Sequence, residues 1–223
     1  MKTQNILPAL ALAGGSVAQT PAGFTPSVSA HLDVIFGTKV VNPPGTPLSK
    51  SDTARQPTIG TSKALNGTYV WMMIDLDAST NFANPKAGQQ ATYLHTVLRD
   101  FKSSGKTTDS GVYTLTTTAT GPVSCQNLPK GLSEISLYYD AQGTTARTVT
   151  DPGSIQGPAP PAENPPHPHR YTNLLWEQPA NWAIPQAAST MLQSKRSGFN
   201  VTDFQKAAGL SDPVFANYFN VTG

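Results

Sequence analysis

A single cysteine, Cys125, is all the chain contains, so no intrachain disulfide can form and the fold must be held by its own core. Charge is also scarce: 13% of residues are charged, with 15 Lys and Arg against 13 Asp and Glu, for a formal net charge of +2. The basic residues are scattered. Even Arg99, Lys102 and Lys106 form only a loose group, which argues against a nucleic-acid partner bound by phosphate neutralisation. No apolar run reaches the roughly 20 residues that a membrane-spanning helix requires. The hydrolase elbow Gly-x-Ser-x-Gly is absent, as is the His-Glu-x-x-His helix of zinc proteases. Long helical periodicity is missing until the last third, and that absence directs the fold towards β structure.

The N-terminus reads as a secretory signal over residues 1–18. Lys2 supplies the positive end, Ile6 to Ala13 a short apolar stretch interrupted by Pro8, and Ser16-Val17-Ala18 a small-x-small cleavage pattern. Three glycosylation triplets, beginning at Asn66, Asn200 and Asn220, agree with a secreted or secretory-pathway protein. In such a chain Cys125 reads as a buried, inert thiol, because a reactive one needs a neighbouring group that depresses its pKa.

Residues 19–223 read as a single, mainly β domain with C-terminal helices. Val70 to Ile74 is a continuous apolar run of the kind found in central strands; Thr92 to Leu98 and Tyr171 to Trp176 are similar. Val112 to Thr116 and Glu134 to Tyr139 alternate, as half-buried strands do. Helices are expected over Ile184 to Gln193, where Pro185 suits a first turn, and from a capping box at Thr202-Asp203-Phe204-Gln205 to Gly209. Residues 151–168 carry seven prolines, which exclude regular structure, and read as an expanded loop bordering a site.

Candidate chemistry gathers where polar residues meet apolar runs. Asp75 follows Val70 to Ile74, His95 lies within Thr92 to Leu98, and His169 precedes Tyr171 to Trp176. Two imidazoles and a carboxylate converging in a cleft suit a small anion. Each imidazole, protonated, offers a charge-assisted N–H, while the carboxylate orients one ring. Tyr171, Tyr218 and the backbone around Gly157 are candidate further donors. The Asp75/Asp77 pair has a simpler reading as a turn cap. Zinc is the rival chemistry, with His95, His167, His169 and Asp75 as ligand types. On an extended chain, however, His167 and His169 would face opposite ways, so no metal is assigned.

The segments carrying these residues, in this order, resemble the phosphatidylethanolamine-binding protein family, which includes the raf kinase inhibitor proteins. Asp75-Leu76-Asp77-Ala78-Ser79 is similar to the family's Asp-Pro-Asp-x-Pro, and Tyr93-Leu94-His95 to its Trp-x-His. Gly157-Pro158 with His169-Arg170-Tyr171 resembles its Gly-Pro-Pro…His-Arg-Tyr, and Leu175-Trp176-Glu177-Gln178 the strand that follows. Asp212 to Phe219 resembles the closing Pro-Val-x-Gly-x-x-aromatic segment. Leu76 and Ser79 replace two loop prolines, Tyr93 replaces a tryptophan, and the loop before His169 is longer. The resemblance implies a large central β-sheet with a smaller sheet and C-terminal helices. It also implies a shallow pocket for a small anionic ligand, a phosphate, carboxylate or lipid headgroup, without metal or organic cofactor. Non-catalytic binding is the first expectation. The alternatives are an accessory protein or enzyme in fungal secondary metabolism, such as maleidride-type dicarboxylate coupling, and an inhibitor whose protein partner meets residues 151–168.

Overall fold

A computed structural model describes residues 18–54, 56–81, 83–117, 158–194 and 196–223. All but the last residue of the signal read over residues 1–18, the strand at 134–139, Cys125, Gly157 and the start of the proline-rich loop lie outside them.

Nine strands form the described architecture: β1 (Asp33–Phe36), β2 (Lys39–Val40), β3 (Thr46–Leu48), β4 (Thr58–Thr61), β5 (Tyr69–Ser79), β6 (Gln90–Thr107), β7 (Tyr113–Thr117), β8 (Pro168–Glu177) and β9 (Phe215–Thr222). Two helices, α1 (Gln186–Ser194) and α2 (Val201–Ala207), lie between β8 and β9. Among the described residues all strands belong to one sheet, ordered β2-β1-β4-β7-β6-β5-β8-β9-β3. The smaller sheet expected from the resemblance is therefore not detached here. The sheet curls, as an isolated bridge from His31 just before β1 reaches Ala216 of β9. That bridge is parallel; among the described strand pairs, β3 on β9 is the parallel one.

β5 sits in the middle, and all of its residues but Leu76 are buried. Central strands covered on both faces read as continuous apolar runs, which is why Val70 to Ile74 does not alternate. Its side chains nevertheless divide by parity. Trp71 and Met73 join Phe101, Tyr171, Leu175 and Phe219 in one core. Val70, Met72 and Ile74 face the other, with Leu174 and Trp176.

That second face is closed by the helices. Ala188 and Leu192 of α1 lie four apart, so both point at the sheet, as do Val201 and Phe204 of α2. The N-cap of α2 is Asn200, whose side-chain oxygen accepts the Asp203 N–H at 3.0 Å, and not Thr202 as the capping-box pattern suggests. Asn caps an orphan N–H as Thr would, and the helix starts two residues earlier. Gly209, with φ +66°, ends the helix as expected.

Two buried asparagines on the first-core side are paired. Asn217 donates to the carbonyls of Leu32 and Val41 at 2.8 and 2.9 Å, tying β9 to the β1 edge. Trp71 Nε1 donates to Asn173 Oδ1 at 3.2 Å. Both asparagines escaped the sequence reading, because nothing local distinguishes a buried amide from an exposed one.

Candidate functional site

The site is built where β5, β6 and β8 lie side by side. Asp75 of β5 pairs in register with Tyr93 of β6 and with Tyr171 of β8. Cross-strand partners share a face, so these three project together on the side of the first core. Asp75 and His169 are 3% and 1% exposed. His169 Nδ1–H donates to Asp75 Oδ2 at 2.7 Å. The His169 ring stacks on Tyr171 at 6.4 Å, and Tyr171 stacks in turn on Phe219 at 5.4 Å.

His95 reaches the same cluster through a bulge. Pairing runs from Met73 with Thr96 to Ile74 with Leu94, which leaves His95 as the extra residue of β6. A bulge re-aims a side chain, and here the imidazole meets Tyr171 and Tyr93 edge-on at 5.2 and 5.4 Å.

A second bulge, between Asp75 and Ala78 in β5, breaks the alternation there. Asp77 thereby meets Arg170 and not His169. Arg170 Nε and Nη2 donate to its two oxygens at 2.8 and 2.7 Å, and the Arg170 backbone N–H adds a third bond at 2.9 Å. Asp75 Oδ1 meanwhile accepts the Asp77 N–H at 2.8 Å. Asp77 is thus more than a turn cap: it clamps β8 through a forked ion pair. The Asp77–Arg170 contact was legible only in hindsight, from Arg170 standing next to His169.

The electrostatics divide the two imidazoles. Burial opposes protonation of His169, but the hydrogen bond and charge of Asp75, then Glu163 and Asp77, outweigh it and hold its pKa above the ordinary value. His95 behaves oppositely. Loss of water around the ring comes first, then the charges of Arg196 and His169, and its pKa falls to about 3. His95 is therefore neutral near pH 7 without a ligand, whereas the sequence leads to the expectation that a bound anion holds either imidazole protonated. For Asp77, burial pushes up and the Arg170 hydrogen bonds pull down harder, leaving the carboxyl below its usual range.

Glu163, which the sequence reading did not single out, stands over this cluster from the proline-rich segment. Its Oε1 lies 3.7 Å from His169 Nε2, and its Oε2 lies 4.0 Å from His167 Nδ1. Thr53 anchors that segment by donating to the Pro158 carbonyl at 3.3 Å. Beside it opens a cavity of about 260 Å³, lined by residues that include Asp77, Lys86, Gln90, Glu163 and His167.

The candidate residues thus divide clearly. Asp75, His95, His169 and Tyr171 come together. Tyr218 does not join them: it pairs with Thr172, the opposite parity from Tyr171, and its hydroxyl packs over Gly45. Gly45 has φ +86°, and a Cβ there would lie 3.0 Å from that hydroxyl, so both the turn and the close approach favour glycine. Phe219 holds the position by Tyr171. Of the glycosylation candidates, Asn66 and Asn200 are exposed. Asn220 is half-buried and donates to the Gly45 carbonyl at 3.0 Å.

A curled, mainly β sheet thus carries a buried Asp–His pair across its central strands β5 and β8. The family model described as phosphatidylethanolamine-binding protein matches residues 38–219, and the chain belongs to that family. It is 28% identical over 230 residues to phomoidride biosynthesis cluster protein N of Talaromyces stipitatus, with 96% of each chain covered. A protein of the same name from another fungus is 41% identical over 75 residues, 32% of this chain and 33% of that one. Among solved structures, carboxypeptidase Y inhibitor, in complex with its cognate proteinase, superposes with a TM-score of 0.50 at 18% identity. That match covers 87% of this chain and 84% of the inhibitor, and it speaks to the fold alone. Among the described residues no helix is long and apolar enough to cross a membrane.

Proposed function

We propose that this chain binds a small carboxylate- or phosphate-bearing ligand at the Asp75–His169 pair, within a fungal biosynthetic pathway of the kind its relatives are named for. One observation carries the reading: His169 Nε2 is buried and has no hydrogen-bond partner, although Nδ1 is fixed by Asp75. A buried polar atom left unpaired costs about 1–3 kcal/mol, so it calls for an occupant. As an imidazolium, His169 offers Nε2–H to an anion. Neutral His95 adds one donor or acceptor, and the Tyr171 ring forms a wall between the two.

The relative named for phomoidride biosynthesis supports a small-molecule ligand of a biosynthetic pathway over a lipid headgroup. The pocket's small size supports it too, since the adjoining cavity of about 260 Å³ suits an organic acid better than a diacyl lipid.

Calorimetric titration of metal-free protein with phosphate, phosphorylethanolamine and a small dicarboxylate tests this directly. We expect the dicarboxylate to bind most tightly. His169→Gln should weaken it by at least about 1.5 kcal/mol, the scale of one charge-assisted hydrogen bond. Equal affinity in wild type and His169→Gln would defeat the reading. A preference for phosphorylethanolamine would keep the pocket and remove the biosynthetic role.

A further inference from the structure

The Glu163, His167 and His169 cluster does something that an anion pocket does not require. One donor atom from each of these residues lies within 4.8 Å of the others. His169 Nε2 and His167 Nδ1 are both buried, and neither has a hydrogen-bond partner. Each faces one oxygen of the same carboxylate, at 3.7 and 4.0 Å. These distances are too long for hydrogen bonds. They are close to the roughly 3.4 Å that separates two ligands of one tetrahedral ion with bonds near 2.1 Å. The expectation that His167 and His169 diverge fails because β8 begins at Pro168. His167 lies just before the strand and is free of its alternation, and the two rings come within 5.9 Å.

The geometry points to a divalent transition-metal site, with zinc or a similar borderline ion held by Glu163, His167 and His169. Two nitrogens and one oxygen are the donor set such ions favour over magnesium or calcium. Three protein ligands also leave a coordination position open. The surroundings fit. Asp75 on His169 Nδ1 forms the carboxylate–histidine arrangement that orients metal-bound imidazoles. Gln90 lies 3.1 Å from His167 Nε2. With its amide turned so that the oxygen accepts Nε2–H, Nδ1 is left with its lone pair for the ion. The carboxylates agree as well: Arg170 is forked onto Asp77, while Asp75 and Glu163 face the histidines.

The open position faces the adjoining cavity, which Glu163 and His167 line. A carboxylate-bearing ligand would there meet the ion in place of the His169 N–H. This site goes beyond the anion reading and does not depend on it: the metal-free protein uses Nε2 as a donor, and the loaded one uses it as a ligand.

The test uses the untagged full chain, stripped with a chelator and titrated with the metal alone. We expect one Zn²⁺ per chain by calorimetry, visible Co²⁺ bands of a nitrogen–oxygen site, and no uptake of Mg²⁺ at the same concentration. His167→Ala and Glu163→Gln should each weaken Zn²⁺ at least about tenfold, and Asp75→Asn by about 10- to 100-fold, the range reported for such orienting partners. The metal-free melting temperatures of His167→Ala and Glu163→Gln should match the parent, which separates ligand loss from misfolding. Absence of Zn²⁺ binding, or binding untouched by both variants, would overturn the site. Because no anion is present, that failure leaves the anion reading standing. Loss of anion binding in stripped protein would fail the anion reading alone.

Discussion

Asp75→Ala is expected to lower folding stability by about 3 kcal/mol, the lower end of what breaking a buried ion pair costs. Two bonds are lost at once. His169 Nδ1–H loses its acceptor at 2.7 Å, and the Asp77 N–H loses one at 2.8 Å. Both carboxylate and imidazole are almost wholly buried, so water cannot replace the missing oxygen without opening the sheet. His169 can surrender its proton, which keeps the cost from rising further. Asp75→Asn keeps one oxygen and should cost about half as much, since one of the two hydrogen bonds survives. Urea unfolding of the three proteins gives the comparison. A loss below about 1 kcal/mol in Asp75→Ala, within the ordinary range of a single neutral hydrogen bond, would mean that the pair is not the anchor described.

Acidification gives the second large effect, through His95. Its folded-state pKa of about 3 lies below the ordinary value of 6.5. Above the unfolded pKa both states are neutral, and the stability is complete. As the pH falls through 6.5 towards 3, the unfolded chain gains a proton that the folded one refuses. Stability then falls by up to about 1.4 kcal/mol per pH unit. Partial solvent access to His95 makes this an upper bound. Between pH 6 and 4.5 the loss reaches about 2 kcal/mol, before most carboxylates titrate. In His95→Gln the decline over this window should flatten. An unchanged slope in His95→Gln would show that the ring takes up its proton freely in the folded state.

How far the sequence spoke depends on the distance over which each feature is decided. Asp75, His95, His169 and Tyr171 were legible because each lies in or beside an apolar run, which strand pairing then brings together. The resemblance supplied their order. Residues whose direction depends on register were not legible. Tyr218 and Phe219 are neighbours, and only the pairing of Tyr171 with Phe219 decides which ring faces the site. Asp77 turns to Arg170 because of a bulge that no local pattern announces. The same holds for His95, whose alternation with Tyr93 is preserved while that with Thr96 is broken. Glu163 was invisible for another reason: the prolines around it exclude regular structure but do not say where the segment lands.

The fold followed the apolar runs, yet their lengths did not. β6 extends to Thr107, well past Leu98, because its polar half continues pairing with β7 after the core ends. Backbone hydrogen bonds do not require apolar side chains, so a hydrophobic pattern underestimates a strand that runs to the surface.

The most direct test of the account is the ¹⁵N NMR spectrum of the histidine rings in metal-free protein, with and without a saturating small dicarboxylate. The account predicts that His169 is an imidazolium whose Nε2–H moves downfield when the ligand enters, while His95 stays neutral throughout. A His169 ring that is neutral near pH 7, or whose Nε2 signal ignores a ligand that calorimetry shows to be bound, would contradict it.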